Sequence, residues 1–291
     1  MTLLPWREVR REGLERLCAV GVDDPEQELR WIVEQASGCT AAEQVAVLDH
    51  PVTERERRSV EEMVTRRCTG EPLQYVLGRW GFRTLDLLVD RRVLIPRPET
   101  EVVAGLAIDA LTDLGRPGVA VDLGTGSGAI ALSLAAECWP QVEVWATDAS
   151  VDALAVARAN LAGLGRRAAV VRLVEGDWFE ALPTELRGEV DVVVANPPYV
   201  AAHEPLPAEV TDWEPRDALV PGPTGLEDIE HIVAEAPAWL TGTGTLVVEI
   251  GETQGSAVQQ MAVAAGFSQV AILPDLAGRD RTLAARLSSP S

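Results

Sequence analysis

Asn196-Pro197-Pro198-Tyr199 places two rigid acceptors and an aromatic ring in four residues. It follows the apolar run Val190, Val192, Val193, Val194 and Ala195, whose pattern predicts a buried strand. Two successive prolines lack N–H groups and fix φ, so the strand must stop there. In an open α/β sheet, the carboxyl end of a strand is where ligands sit. Asn196 Oδ1 and the Pro197 carbonyl suit a substrate that presents an NH2 group. Tyr199 can pack on a planar group beside them. Such a nitrogen, in an amide or on an aromatic ring, is a poor nucleophile because its lone pair is delocalised. Accepting hydrogen bonds from both of its N–H groups holds it and favours the positive charge that develops during attack. The implied chemistry is methylation of an amino nitrogen. No strong base is needed, because the proton leaves readily once the nitrogen is alkylated. The plainer alternative is a turn that only ends a strand.

Asp122-Leu123-Gly124-Thr125-Gly126-Ser127-Gly128 follows a second predicted strand and opens a helix. Glycines at this turn let backbone approach a ligand at the helix N-terminus. Gly124, Gly126 and Ala129 also satisfy a dinucleotide fingerprint, so the loop alone leaves the cofactor open. Asp148 closes the next strand, where a carboxylate can take both hydroxyls of an adenosine ribose. Asp122 suits a ligand with a charged amino group and no phosphate, as in S-adenosylmethionine. Trp178, in Asp177-Trp178-Phe179, can pack on an adenine face or serve as an ordinary interior side chain.

These loops need a scaffold. From Val119 onward the pattern alternates strand and helix: strands at 119–123, 142–147, 169–174, 190–195 and 245–250, and helices at 129–138, 151–161, 226–240 and 254–265. Segments 270–273 and 281–287 add two candidate strands. This predicts an α/β domain with a doubly wound, mostly parallel sheet. A long Pro- and acid-rich loop, 199–224, is expected to be ordered and functional, with Trp213, Leu219 and Val220 as anchors. Residues 1–70 form a small helical domain. Asp24-Pro25-Glu26-Gln27 is a helix start, and Thr40–Glu43 and Thr53–Glu56 are capping boxes. Between the domains, 71–98 is a linker with a β-hairpin that turns near Asp86, and Pro98 starts a helix. The second domain is then 99–291.

The formal net charge is −20, which opposes a phosphate backbone and favours a small-molecule or protein substrate; the alternative is acidity that serves only solubility or a salty habitat, so charge counts against a nucleic-acid substrate without excluding one. The four cysteines are scattered without a C-x-x-C pair, so reduced packing residues are expected, and no metal. No apolar run is long enough for a membrane span, and 1–11 lacks the pattern of a secretion signal. A cytoplasmic monomer is expected.

Asn196-Pro-Pro-Tyr199, Asp122-Leu-Gly-Thr-Gly-Ser-Gly128 and Asp177-Trp-Phe179 resemble the protein-(glutamine-N5) methyltransferases of peptide chain release factors, the HemK/PrmC family. Gly70-Glu-Pro-Leu-Gln-Tyr-Val-Leu-Gly78 and Leu94-Ile-Pro-Arg-Pro-Glu-Thr-Glu101 resemble its linker. Glu214-Pro-Arg-Asp-Ala-Leu219, Glu249-Ile-Gly-Glu-Thr-Gln-Gly255 and Asp275-Leu-Ala-Gly-Arg-Asp-Arg281 extend the likeness. The resemblance implies a Rossmann-like class I S-adenosylmethionine-dependent methyltransferase domain. It implies cofactor contacts from Gly124, Thr125, Gly126, Ser127, Gly128, Asp148, Trp178 and Asn196. It also implies substrate contacts from Asn196, Pro197, Pro198 and Tyr199, with Asn196, Pro197 and Tyr199 at the reacting amide. The implied substrate is the glutamine of a Gly-Gly-Gln motif in release factors, gripped in part by the helical domain. The competing readings are an adenine-N6 methyltransferase on DNA or RNA, a non-catalytic binding protein of the same fold, and a dehydrogenase.

Overall fold

The computed structural model describes residues 4–288; residues 1–3 and 289–291, the outer ends of the two expected domains, lie outside the described residues. The chain divides into two compact units: residues up to Arg79 with Pro207–Trp213, and Trp80–Leu206 with Glu214 onward.

The first unit is helical: α1 Trp6–Ala19, α2 Pro25–Ser37, α3 Ala41–Ala46, α4 Glu54–Cys68 and α5 Leu73–Leu77. Helix α2 starts where the pattern predicts, with Asp24 Oδ1 accepting from the Gln27 N–H at 3.1 Å. Both capping boxes form. Leu29, Ile32 and Val33 of α2 pack with Val60, Met63 and Val64 of α4 in one buried cluster. The break at Gly70–Pro72 is real, but α5 follows it unforeseen. Pro72 precedes the helix rather than ending one, and burial of Leu73, Tyr75 and Val76 holds the short turn.

The second unit opens with a two-stranded sheet, β1 Arg79–Phe82 and β2 Leu85–Leu88. Its turn lies at Arg83-Thr84, not near Asp86, which sits within β2. Arg83 adopts φ 50, which costs strain for a residue other than glycine. Tertiary bonds hold it there: its N–H donates to Glu101 Oε1 at 3.0 Å, and its guanidinium pairs with Glu137 at 2.7 and 2.8 Å.

The chain continues through α6 Pro98–Thr112, β3 Gly118–Leu123, α7 Ala129–Glu137, β4 Val142–Asp148, α8 Val151–Ala162, β5 Val171–Glu175 and β6 Val190–Ala195. Then come α9 Ala208–Trp213, which counts with the helical unit, α10 Glu227–Trp239, β7 Leu240–Glu249, α11 Gly255–Ala264, β8 Gln269–Pro274 and β9 Asp280–Arg286. Helix α6 begins at Pro98, as expected. Residues 165–170, partly expected as strand, form a 3-10 turn before β5.

The seven strands lie in the order β5-β4-β3-β6-β7-β9-β8. The first five are parallel; β9 pairs antiparallel with both β7 and β8. This is the doubly wound, mostly parallel sheet that alternation predicts, with helices packed against it. Central β6 is buried at every residue. Its one charge, Asp191, accepts from the Arg116 guanidinium at 2.6 and 3.1 Å and from the Val119 N–H at 3.0 Å, so the buried carboxylate is satisfied. No described helix is long and apolar enough to cross a membrane.

Phe179 is fully buried and stacks on Trp239, with ring centroids 5.6 Å apart. Phe179→Ala is expected to destabilise this unit by about 3–5 kcal/mol, measured by urea unfolding; a loss below ~1 kcal/mol would contradict this account of the core.

Candidate active site

Strand register brings the chemistry together. Leu123 pairs with Ala195 on one side and with Thr147 on the other, and Ala195 pairs with Val248. The next residues, Gly124, Asn196, Asp148 and Glu249, therefore stand side by side at one carboxyl edge. The strand order changes direction between β3 and β6, which makes this the topological switch point.

A cleft of about 570 Å³ opens at this edge, within the size range of ligand pockets. Gly124, Thr125, Gly126 and Ser127 line it, with Asp148, Trp178, Asn196 and Pro198. Gly128, Pro197 and Tyr199 stand behind the wall. Gly128 caps α7 at φ 86, and a Cβ there would sit 3.0 Å from the Leu132 side chain. Asp122 also lies beneath the loop. Its Oδ2 accepts from the Thr125 hydroxyl at 2.6 Å and the Ala131 N–H at 3.0 Å, so it shapes the turn from below. Burial pushes its carboxyl up to about 6.

The wall fits a nucleoside that carries positive charge. Asp148 accepts from the Gly126 N–H at 2.8 Å and the Ser150 N–H at 2.8 Å, and each oxygen retains a lone pair for a ribose diol. Trp178 is held at φ 40, a strained value, and its ring lies against Gly124, where a Cβ would come within 3.1 Å. The ring also packs on the central core cluster, so it is both interior and wall. The lining carries Asp148, Asp177, Asp217 and Asp228 against one basic side chain, Arg92, which pairs with Asp90. That balance disfavours the pyrophosphate of a dinucleotide and suits a sulfonium with an ammonium group.

Around Asn196 the structure adds residues that sequence reasoning left without a role. Asn196 Nδ2 donates to Thr100 Oγ1 at 3.2 Å, and the Thr100 hydroxyl donates to Glu249 Oε2 at 2.7 Å. The Tyr199 hydroxyl donates to Glu249 Oε1 at 3.2 Å, and Arg281 lies 5.8 Å over the Tyr199 ring. Gln254 Nε2 ties the carbonyls of Tyr199 and Gly225 at 2.9 and 3.0 Å. Gly225, at φ 78, passes so close that a Cβ would stand 2.4 Å from the Tyr199 carbonyl oxygen. Among the described residues, no protein donor reaches Asn196 Oδ1 or the Pro197 carbonyl. A clue to Glu249 was available: it is a lone carboxylate ending the apolar run Leu246-Val247-Val248. Thr100 and Gln254 gave no such signal.

The long loop is ordered. The Val200 N–H donates to the Leu219 carbonyl at 3.0 Å and the Ala202 N–H to the Gly222 carbonyl at 3.1 Å. Buried Glu214 accepts from the Ile95 N–H at 3.1 Å and pairs with Arg97. The returning segment supplies Pro215, Asp217 and Ala218 to the cleft wall.

Comparison with known proteins gives two family matches: the PrmC N-terminal domain over residues 8–78 and the methyltransferase small domain over residues 104–211. Similar curated proteins include a "Release factor glutamine methyltransferase" of Cereibacter sphaeroides, 41% identical over 95% of this chain and 96% of that one. A protein of the same description from Xylella fastidiosa is 42% identical over 82% of this chain and 84% of its own. Among solved structures, a methyltransferase from Pyrococcus furiosus shares the fold, with a TM-score of 0.51 and 18% identity, over 81% of this chain and all of that one.

Burial raises both the Glu249 carboxyl, from an ordinary 4.5 to about 7, and that of Asp122. A raised carboxyl favours the folded state while it is neutral, and that contribution is lost as pH rises through the folded value. The melting temperature is expected to fall between pH 5 and pH 8, and to fall less in Glu249→Gln, which cannot ionise. Calorimetry across that range checks this; equal slopes in the two proteins would refute it.

Proposed function

The chain belongs to the release factor glutamine methyltransferase family, and we propose that it transfers a methyl group from S-adenosylmethionine to the side-chain amide nitrogen of the glutamine in the Gly-Gly-Gln motif of peptide chain release factors. The observation that carries this reading is Asn196, which lines the cleft with its Oδ1 unpartnered among the described residues, followed directly by a Pro197 carbonyl that is unpartnered too.

The proposed roles follow from what each residue can do. Gly124, Thr125, Gly126 and Ser127 form the cofactor cradle, with Gly128 setting its turn. Asp148 takes the ribose hydroxyls and Trp178 the adenine face. Bound there, S-adenosylmethionine supplies an activated methyl group. Asn196 Oδ1 and the Pro197 carbonyl accept from the two N–H groups of the glutamine amide, which fixes its orientation for in-line attack. They also favour the charge that builds on nitrogen. Pro198 stiffens the turn, and Tyr199, held from behind, restricts the approach of the planar amide. The helical unit is assigned to gripping the release factor. An adenine in a nucleic-acid strand would meet the same acceptors, but its phosphates would face the acidic lining and the −20 charge.

Incubation with S-adenosylmethionine and a release factor should add one methyl, located by mass spectrometry to the Gly-Gly-Gln glutamine. Methyl found on an oligonucleotide and none on the release factor would reverse the reading. Asn196→Ala should lower kcat by about a hundredfold or more with an unchanged circular dichroism spectrum.

A further inference from the structure

Glu249 does not itself line the cleft, yet two polar groups of the site, the Thr100 and Tyr199 hydroxyls, converge on it. It is 1% exposed at the end of β7, level in register with Asn196 across the β6–β7 pairing. One carboxylate oxygen accepts from Thr100 and the other from Tyr199. Thr100 comes from the first turn of α6, which packs on β6 and β7.

The direction of these hydrogen bonds matters. While Glu249 is ionised its carboxylate only accepts, so in that state both hydroxyls must donate to it. A threonine hydroxyl has one proton. Once that proton points at Glu249, the Thr100 oxygen offers only lone pairs to its other neighbour. The asparagine amide has two unlike ends of nearly the same shape, and only its NH2 end can meet those lone pairs. Oδ1 is then turned away from Thr100 and left to accept from the substrate. A reversed amide would set two acceptors against each other at Thr100 and aim donors at the substrate's own N–H groups.

We propose that Glu249 is a positioning residue for methyl transfer: acting through Thr100 it fixes which way the Asn196 amide faces, and through the Tyr199 hydroxyl it sets the ring beside it. The methyl-transfer part of this inference rests on the function proposed above; the hold on Asn196 does not. Arg281 on β9 and Glu99 on α6 are the charged groups that face the carboxylate besides its bonded partners. Arg281 donates to the Ile250 carbonyl at 3.2 Å and covers the Tyr199 ring, which keeps a cation near the buried charge.

The chain contains only two asparagines, Asn160 and Asn196, so asparagine-selective 15N labelling gives two side-chain NH2 signals. Asn160 is an internal reference, because its Nδ2 donates to the Leu88 and Ser127 carbonyls at 3.0 and 2.9 Å. In Thr100→Val and in Glu249→Met, the Asn196 NH2 signals should shift and their hydrogen exchange should speed up, while those of Asn160 stay in place. With a release factor as substrate, kcat should fall about ten- to hundredfold in both variants. In Glu249→Met, the dissociation constant for S-adenosylmethionine should stay within about twofold. Thr100→Ser keeps the hydroxyl and should restore both readouts. Unmoved Asn196 signals in both variants, or a Ser variant as impaired as Val, would overturn the positioning role. If the wild type itself fails to methylate a release factor, the functional reading falls and the Asn196 signals alone decide whether Glu249 orients that amide.

Discussion

The pairing register of β3, β4, β6 and β7 is the constraint from which the site follows. Leu123 beside Ala195, Thr147 beside Leu123 and Val248 beside Ala195 bring four separate strand ends to one level. Slipping any of these strands by one residue would swap its two faces. In β6, where every residue is buried, a slip would also move Asp191 away from Arg116 and the Val119 N–H. The unpaired charge that resulted would cost several kcal/mol, so the register is held by core and charge together. Function-bearing loops at the switch point thus inherit their positions from apolar packing beneath them.

Four buried carboxylates of this unit solve the same problem in two ways. Asp191 and Glu214 meet arginines and join distant segments, β3 to β6 and the long loop to the segment before α6. Asp122 and Glu249 are bonded mainly by neutral hydroxyl and amide donors, and burial raises both. What they hold in return is local geometry. Asp122 braces the glycine loop through Thr125 and the start of α7. Glu249 braces the Asn-Pro-Pro-Tyr turn through Thr100 and Tyr199. Such networks are rigid when every partner is present.

The loop after Tyr199 belongs to the same arrangement. A stretch so rich in proline and acid would stay mobile without anchors, but backbone bonds at Val200 and Ala202 and the buried Glu214 tie its two legs down. Gly225 and Gln254 then clamp the Tyr199 carbonyl from the far side. Gly225 is required by space: any side chain there would push the Tyr199 backbone off its position.

Much was legible in the linear chain because it depends on local rules. Alternating apolar runs and helical stripes follow from side-chain period, and the Gly-rich turn and the double proline follow from backbone freedom and its loss. These specified the sheet class, the helical first domain, the glycine loop after β3 and the strand-ending Asn-Pro-Pro-Tyr turn. The turn at Arg83 was not legible, because its strained backbone is stabilised by Glu101 and Glu137, far along the chain. Helix α5 was missed because no side chain caps its start; burial of Leu73, Tyr75 and Val76 and a left-handed Gly78 at its end sustain it. Asn196 itself was visible in sequence, but which end of its amide faces the cleft was not. That is decided by the proton on Thr100 and the carboxylate of Glu249, which only the folded sheet brings beside it.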